Sequence, residues 1–92
     1  MEKDITSPWF VYLIRVEQGN ALYCGITNDL ERRLKQHKSG KGAKWFRGKT
    51  IVDMVWSEQV ENRSIASKRE VQIKALSKKQ KEQLIASADR FT

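Results

Sequence analysis

Ninety-two residues, 39% hydrophobic and 32% charged, suit one small globular domain and exclude a disordered chain or two separate cores. No stretch nears the roughly 20 apolar residues of a membrane span, no secretory pattern follows the first methionine, and a single cysteine cannot close an internal disulfide, so a cytoplasmic setting is expected. The net charge of +7 is localised, because residues 29–49 hold eight Lys/Arg against two acids. Such a cluster favours a polyanionic partner, most commonly nucleic acid, with a solvated basic surface as the plain alternative.

In chain order, residues 1–8 read as a flexible leader ending at Pro8, residues 9–86 as the domain, and residues 87–92 as a frayed tail. The β-branched and aromatic run Trp9–Val16 predicts a first strand. Glu17-Gln18-Gly19-Asn20 is turn chemistry, and Ala21–Ile26 returns as the second strand of an antiparallel hairpin. Tyr12 and Tyr23 then lie on neighbouring strands, and the register that decides whether they share a face stays open. Gly25 interrupts strand-type residues and suits a tight turn or a close backbone approach, a structural role either way.

A helix is expected over residues 29–38, capped by Asn28 with Glu31 as capping-box partner. Leu30 and Leu34 form its apolar stripe, and Arg33 and His37 share the face beside it, one turn apart. Thr27 precedes this helix and either caps it or lines a site, the structural role being favoured. Ser39 to Gly42 ends the helix. Residues 43–49 make a basic segment around Trp45 and Phe46, and Thr50 to Trp56 makes a third strand. A second helix over residues 62–76 carries an apolar stripe of Ile65, Ile73 and Leu76 with Ala66 alongside and Glu70 on its flank. Ser77 and Gln80 form a capping box for a third helix containing Leu84 and Ile85. The order ββαβαα implies an α+β fold, a three-stranded antiparallel sheet with helices over one face.

Tyr12 in Val11-Tyr12-Leu13, Tyr23-Cys24-Gly25 eleven residues on, and Arg33 and His37 in Thr27-Asn28-Asp29-Leu30-Glu31-Arg32-Arg33-Leu34-Lys35-Gln36-His37 resemble the GIY-YIG nuclease domain. Arg69-Glu70 with Ile73-Lys74-Ala75-Leu76 resembles the segment that carries the family's metal-binding glutamate. The likeness runs from about Trp9 to Leu84 and is nearest the small standalone bacterial (YhbQ-like) branch. Two departures stand out. The first triplet is Val-Tyr-Leu instead of Gly-Ile-Tyr, and around Ser77-Lys78-Lys79-Gln80 no counterpart of the family's late polar residue is assignable.

The resemblance implies metal-dependent hydrolysis of DNA phosphodiester bonds with low sequence specificity, in DNA repair or processing, with RNA as a further partner and a monomer as the default state. It assigns catalysis to Tyr12, Tyr23, Arg33, His37 and Glu70, with Glu70 holding a single divalent ion, Mg2+ or Mn2+. The two tyrosines share the role of orienting or deprotonating water; Arg33 neutralises the scissile phosphate. A non-catalytic nucleic-acid-binding module of the same fold is the alternative.

Taken singly, each of these residues has a plainer reading. Tyr12 and Tyr23 suit cross-strand packing, Arg33 and Glu70 suit solvated helix positions, and His37 suits helix-end packing. Cys24 reads as a small buried hydrophobe. Lys35, Lys38, Lys41, Lys44, Arg47 and Lys49 are the candidate phosphate contacts. Trp45 is either a base-stacking platform or, with Phe46, a hydrophobic plug beneath the third strand.

Overall fold

The computed structural model describes residues 8–89, apart from the Asp89 side chain. The expected leader, except Pro8, and residues 90–92 of the expected tail lie outside the described residues. Strand β1 (Trp9–Val16) is followed by a 3-10 turn (Gln18–Asn20) and β2 (Leu22–Thr27), then by helix α1 (Leu30–Lys38). A second 3-10 turn (Lys44–Phe46) leads into β3 (Ile51–Val60), and α2 (Arg63–Lys74) and α3 (Lys78–Asp89) complete the order. Helix α3 thus continues through residues 87–89, where a frayed tail was expected.

The sheet is antiparallel with order β2-β1-β3. Central β1 is buried on both faces, which explains why Trp9–Ile14 is a continuous apolar and aromatic run where a half-exposed strand would alternate. Val11 and Leu13 join Cys24, Trp56, Ala66, Ile73 and Ile85 in one core cluster. Tyr12, Ile14 and Val16 join Phe46 and the flanking Tyr23, Leu30, Leu34 and Trp45 in another. Helices α2 and α3 therefore cover one face, and α1 with the second 3-10 turn covers the other. The expectation of a single covered face is corrected, since two apolar faces on one strand demand two lids.

Local signals decide most boundaries. Gly19 and Asn20 take positive φ in the hairpin turn, where such residues cost least. Strand β3 runs four residues past the expected Trp56 and adds Ser57-Glu58-Gln59, polar chemistry suited to an edge strand. Its register against β1 shifts between Leu13 and Ile14, the mark of a bulge. Asn62 caps α2 by accepting from Ile65 N at 2.9 Å. The stripe of α2 is Ala66 and Ile73, both fully buried, while Ile65 is 37% exposed and does not belong to it. Ser77 and Gln80 form the expected capping box, with bonds of 2.9 and 3.1 Å.

Candidate active site

The register that the sequence left open aligns Tyr12 with Gly25 and Ile14 with Tyr23. With a side-chain period of two, Tyr12 and Tyr23 therefore lie on the same face, diagonal to each other, their ring centroids 6.4 Å apart. Gly25 sits inside β2 with no turn, so the tight-turn reading gives way to the close-approach one. A β-carbon there would lie 2.5 Å from Tyr12 Oη and 2.6 Å from its Cζ. The absent side chain lets the Tyr12 ring lie across β2 toward α1.

Helix α1 begins one residue later than its expected cap. Asp29, not Asn28, accepts from Arg32 N at 3.1 Å. The cause is Thr27, whose Oγ1 accepts from Asp29 N at 3.1 Å and draws the chain round so that Asp29 takes the cap position. Thr27, buried at the end of β2, thereby sets the phase that aims Arg33 and His37 at the tyrosines.

His37 is 2% exposed. Its Nε2 is 2.9 Å from Tyr12 Oη, and its ring stacks against Tyr23 and Phe46, with centroids 5.5 and 4.5 Å away. Burial, with Arg33 nearby, pushes its pKa down to about 4, so the imidazole is neutral at pH 7. Burial likewise pushes Tyr12 up to about 12, against the pull of Arg33, so the hydroxyl stays protonated. The resting pair is two neutral groups sharing one hydrogen bond.

Tyr12 is 1% exposed, which keeps its hydroxyl from solvent, whereas Tyr23 and Arg33 are half-buried and open to it. The guanidinium Nη1 of Arg33 donates to Gln36 Oε1 at 3.0 Å, which steadies it one turn before the helix end. On the far side Tyr23 meets Trp45 and Phe46, with centroids 5.4 and 4.7 Å away. The two readings of Trp45-Phe46 divide between the residues. Phe46 is the buried plug, and Trp45 is half-buried with Lys49 Nζ 4.7 Å above its ring. Lys35, Lys38, Lys41, Lys44 and Arg47 are all exposed, and Lys49 is half-buried.

Glu70 stands apart from this cluster. It lies on α2, which packs on the opposite face of the sheet, and its Oε2 pairs with Lys74 Nζ at 3.3 Å. Its charge acts on Cys24, whose thiol is pushed up to about 11 chiefly by burial. Cys24 is thus the buried hydrophobe expected, not a nucleophile. The helices that carry the aromatic cluster's His37 and the carboxylate thus pack on opposite faces of the sheet. No group of three or more His, Cys, Asp or Glu able to cage a metal occurs among the described residues. The donor set, one half-buried carboxylate, fits a largely hydrated Mg2+ completed by substrate oxygens and not a preformed cage.

Gly42 was not legible as a site residue. A β-carbon there would overlap the His37 ring at Nδ1, so this glycine, read only as a helix stop, is what lets the 3-10 turn close over the imidazole. Gly42 takes no positive φ, so it is needed for room and not for its backbone angle.

A protein-family model described as the GIY-YIG catalytic domain matches residues 8–83. A UPF0213 protein of Vibrio cholerae is 54% identical over 89 residues, covering 96% of this chain and 87% of the relative. The UPF0213 protein YhbQ of Escherichia coli K12 is 52% identical over 85 residues, 92% of this chain and 84% of that one. The solution NMR structure of a UPF0213 protein from Bacillus halodurans superposes with a TM-score of 0.54 at 35% identity, covering 86% of this chain and 83% of that one. With a catalytic-domain match spanning nearly every described element and relatives above half identity, the chain belongs to the GIY-YIG family.

Proposed function

We propose that this protein is a metal-dependent endonuclease that hydrolyses DNA phosphodiester bonds with low sequence specificity, in DNA repair or processing. The observation that supports it most is the convergence of Tyr12, Tyr23, His37 and Arg33 from three elements beside the most basic segment of the chain. Phosphodiester hydrolysis requires in-line attack of water at phosphorus, neutralisation of the charge spread over the equatorial oxygens, and a proton for the leaving oxygen. Arg33 is open to solvent beside the tyrosines and supplies the positive charge. Tyr23, the more accessible of the two tyrosines, orients the water. Tyr12 and His37 sit behind it as a neutral hydrogen-bonded pair and hold the site in place.

Glu70 is the residue to hold the divalent ion, Mg2+ or Mn2+, which when bound would offset charge at the leaving oxygen. The Glu70–Lys74 ion pair is the observation that favours the second reading, a nucleic-acid-binding module without catalysis.

One assay separates the two. Supercoiled plasmid and single-stranded and branched DNA and RNA oligonucleotides are incubated with the protein, with and without Mg2+ or Mn2+. Metal-dependent nicking, lost in both Arg33→Ala and Glu70→Ala, is expected. Tight binding without cleavage, or cleavage indifferent to both substitutions, overturns the nuclease reading in favour of the binding module. Absence of any salt-dependent nucleic-acid binding overturns both.

A further inference from the structure

His37 meets the backbone that leads into the second 3-10 turn in a way that decides which of its nitrogens carries the hydrogen. Nε2 lies 2.9 Å from Tyr12 Oη, and this contact fixes which way round the ring sits, since turning it over would put a carbon there. Nδ1 then faces Gly42. An ideal β-carbon on Gly42 would overlap Nδ1 and lie 2.8 Å from Cε1 and 2.9 Å from Cγ. In glycine that direction is held by an α-hydrogen, so a C–H bond points at Nδ1. The rings of Phe46 and Tyr23, with centroids 4.5 and 5.5 Å from that of His37, hold the imidazole against it.

A hydrogen on Nδ1 would be driven into the Gly42 α-hydrogen. A bare Nδ1 instead receives the weak contact that Cα–H groups make with acceptors. Burial leads to the same assignment independently. Nδ1 is buried with no hydrogen-bond partner among the described residues. Orphaned buried N–H groups are rare and acceptors short of a partner are less so, which makes the unpaired atom an acceptor. In a neutral ring the hydrogen then belongs to Nε2.

We infer that Gly42 fixes His37 in the tautomer that carries its hydrogen on Nε2, so that His37 is a positioning donor to Tyr12 Oη and not the base that takes the tyrosine's proton. With Nε2–H directed at Oη, that side of the ring has no lone pair to offer. The one lone pair, on Nδ1, is walled off from Tyr12 by the ring itself. Arg33, which also pulls on the Tyr12 hydroxyl, has donors only. The tyrosine's own hydrogen is therefore directed at neither group. Both keep their hold if that hydrogen is lost, because an N–H bonds more strongly to an anionic oxygen than to a neutral one. The place of this contact in hydrolysis rests on the nuclease reading above; the tautomer itself does not.

The chain has one histidine, so its ring can be observed alone. The full chain, labelled with 15N in histidine, is examined at pH 7 without metal or nucleic acid by two-bond proton–nitrogen correlation. Nε2 is expected in the protonated range and Nδ1 in the bare range. Tyr12→Phe is expected to show the same pattern, because Gly42 and not Tyr12 sets it. A ring protonated at Nδ1, an average of the two tautomers, or a change of tautomer in Tyr12→Phe overturns the inference.

The part played in cleavage is read in the metal-dependent nicking assay. His37→Met fills the space without a donor and is expected to lower kcat about tenfold with KM little changed. His37→Gln restores an N–H and is expected to recover most of that loss. Equal losses in the two variants, or a loss confined to KM, overturn the positioning role. Hydrogen on Nε2 in a protein that never cleaves supports the tautomer while sinking the nuclease reading.

Discussion

The two faces of the sheet are built from alternate residues of the same strand, yet they differ in kind. Leu13 points into a cluster of Val11, Cys24, Trp56, Ala66, Ile73 and Ile85, apolar side chains under two helices. Tyr12, one residue before it, points into rings that carry hydroxyls and an imidazole under one short helix and a loop. The first face is closed by apolar packing, with one Arg15–Glu82 ion pair at its margin. Among the described residues, the second keeps one nitrogen unpaired, and His37 and Phe46 also border a cationic cavity. The contrast puts most of the apolar packing on the α2/α3 side and the hydrogen-bonded aromatic cluster on the α1 side, with β1 as the shared wall.

The largest effect that would break this contrast is on the apolar side. Leu13→Ala removes a fully buried side chain and is expected to cost about 3 kcal/mol. The melting temperature should fall by about 15 °C, read by calorimetry, while His37 ring signals in the still-folded protein stay where they were. A shift of those signals as large as that caused by a substitution at Tyr12 would show that the faces are not independent.

On the chemical side the effect is tied to pH. The ordinary pKa of His37 is 6.5 and burial lowers it to about 4. The unfolded chain therefore binds a proton in this range that the folded chain refuses. Stability is intact above pH 6.5, falls by about 3 kcal/mol as pH drops toward 4, and loses nothing further from this group below that. His37→Gln preserves a partner for Tyr12 and should lack that part of the slope. Urea denaturation of both proteins at pH 7, 5.5 and 4.5 measures the difference, and parallel stability curves would contradict a buried neutral imidazole.

Tyr12→Phe sharpens the comparison at a single oxygen. Its ring stays in the core, but His37 Nε2 loses its partner, leaving an imidazole with neither nitrogen paired. A loss of about 1–2 kcal/mol is expected, smaller than for Leu13→Ala despite equal burial. The loss should be larger than for Tyr23→Phe, because Tyr23 is half-buried and water can take over its hydroxyl. Equal losses at the two tyrosines would remove the distinction drawn between a supporting and a solvent-facing one.

Much of this division could be read in the chain, and what could not is long-range. The continuous run Trp9–Val16 signals a strand, and the order Tyr12, Tyr23, Arg33, His37 signals the family. Neither says that β1 is covered twice, because the lid over the second face comes from a separate helix, with His37 25 positions along the chain from Tyr12. Asn28 looked a better cap than Asp29 until Thr27 took hold of Asp29 N, a choice between neighbours that depends on how β2 ends. Ile65 fits a helical stripe by type, yet the sheet reaches only Ala66 and Ile73. Glu70 joins the tyrosines through motif order, and motif order carries no information about which side of the sheet α2 takes.

The smallest expected effect probes how the apolar face is fastened. Arg15 follows Leu13 on that side of β1 and grips Glu82 of α3 through two bonds of 2.7 Å. Lys78 adds a third at 2.7 Å. Hydrogen bonding to Arg15, then to Lys78, pulls the Glu82 carboxyl down to about 2 from its ordinary 4.5. The stabilisation is therefore present above pH 4.5 and is lost as pH falls toward 2. With the Glu82 side chain 35% exposed, solvent screening cuts its worth to about 1 kcal/mol. Glu82→Gln should lower stability by that much at pH 7 and by almost nothing at pH 2.5, with the difference shrinking in 1 M salt. Since α3 otherwise rests on Leu84 and Ile85, this two-pronged bond decides the orientation of α3 more than its attachment. A Glu82→Gln protein with unchanged hydrogen-exchange protection along α3 would assign that orientation to the apolar contacts instead.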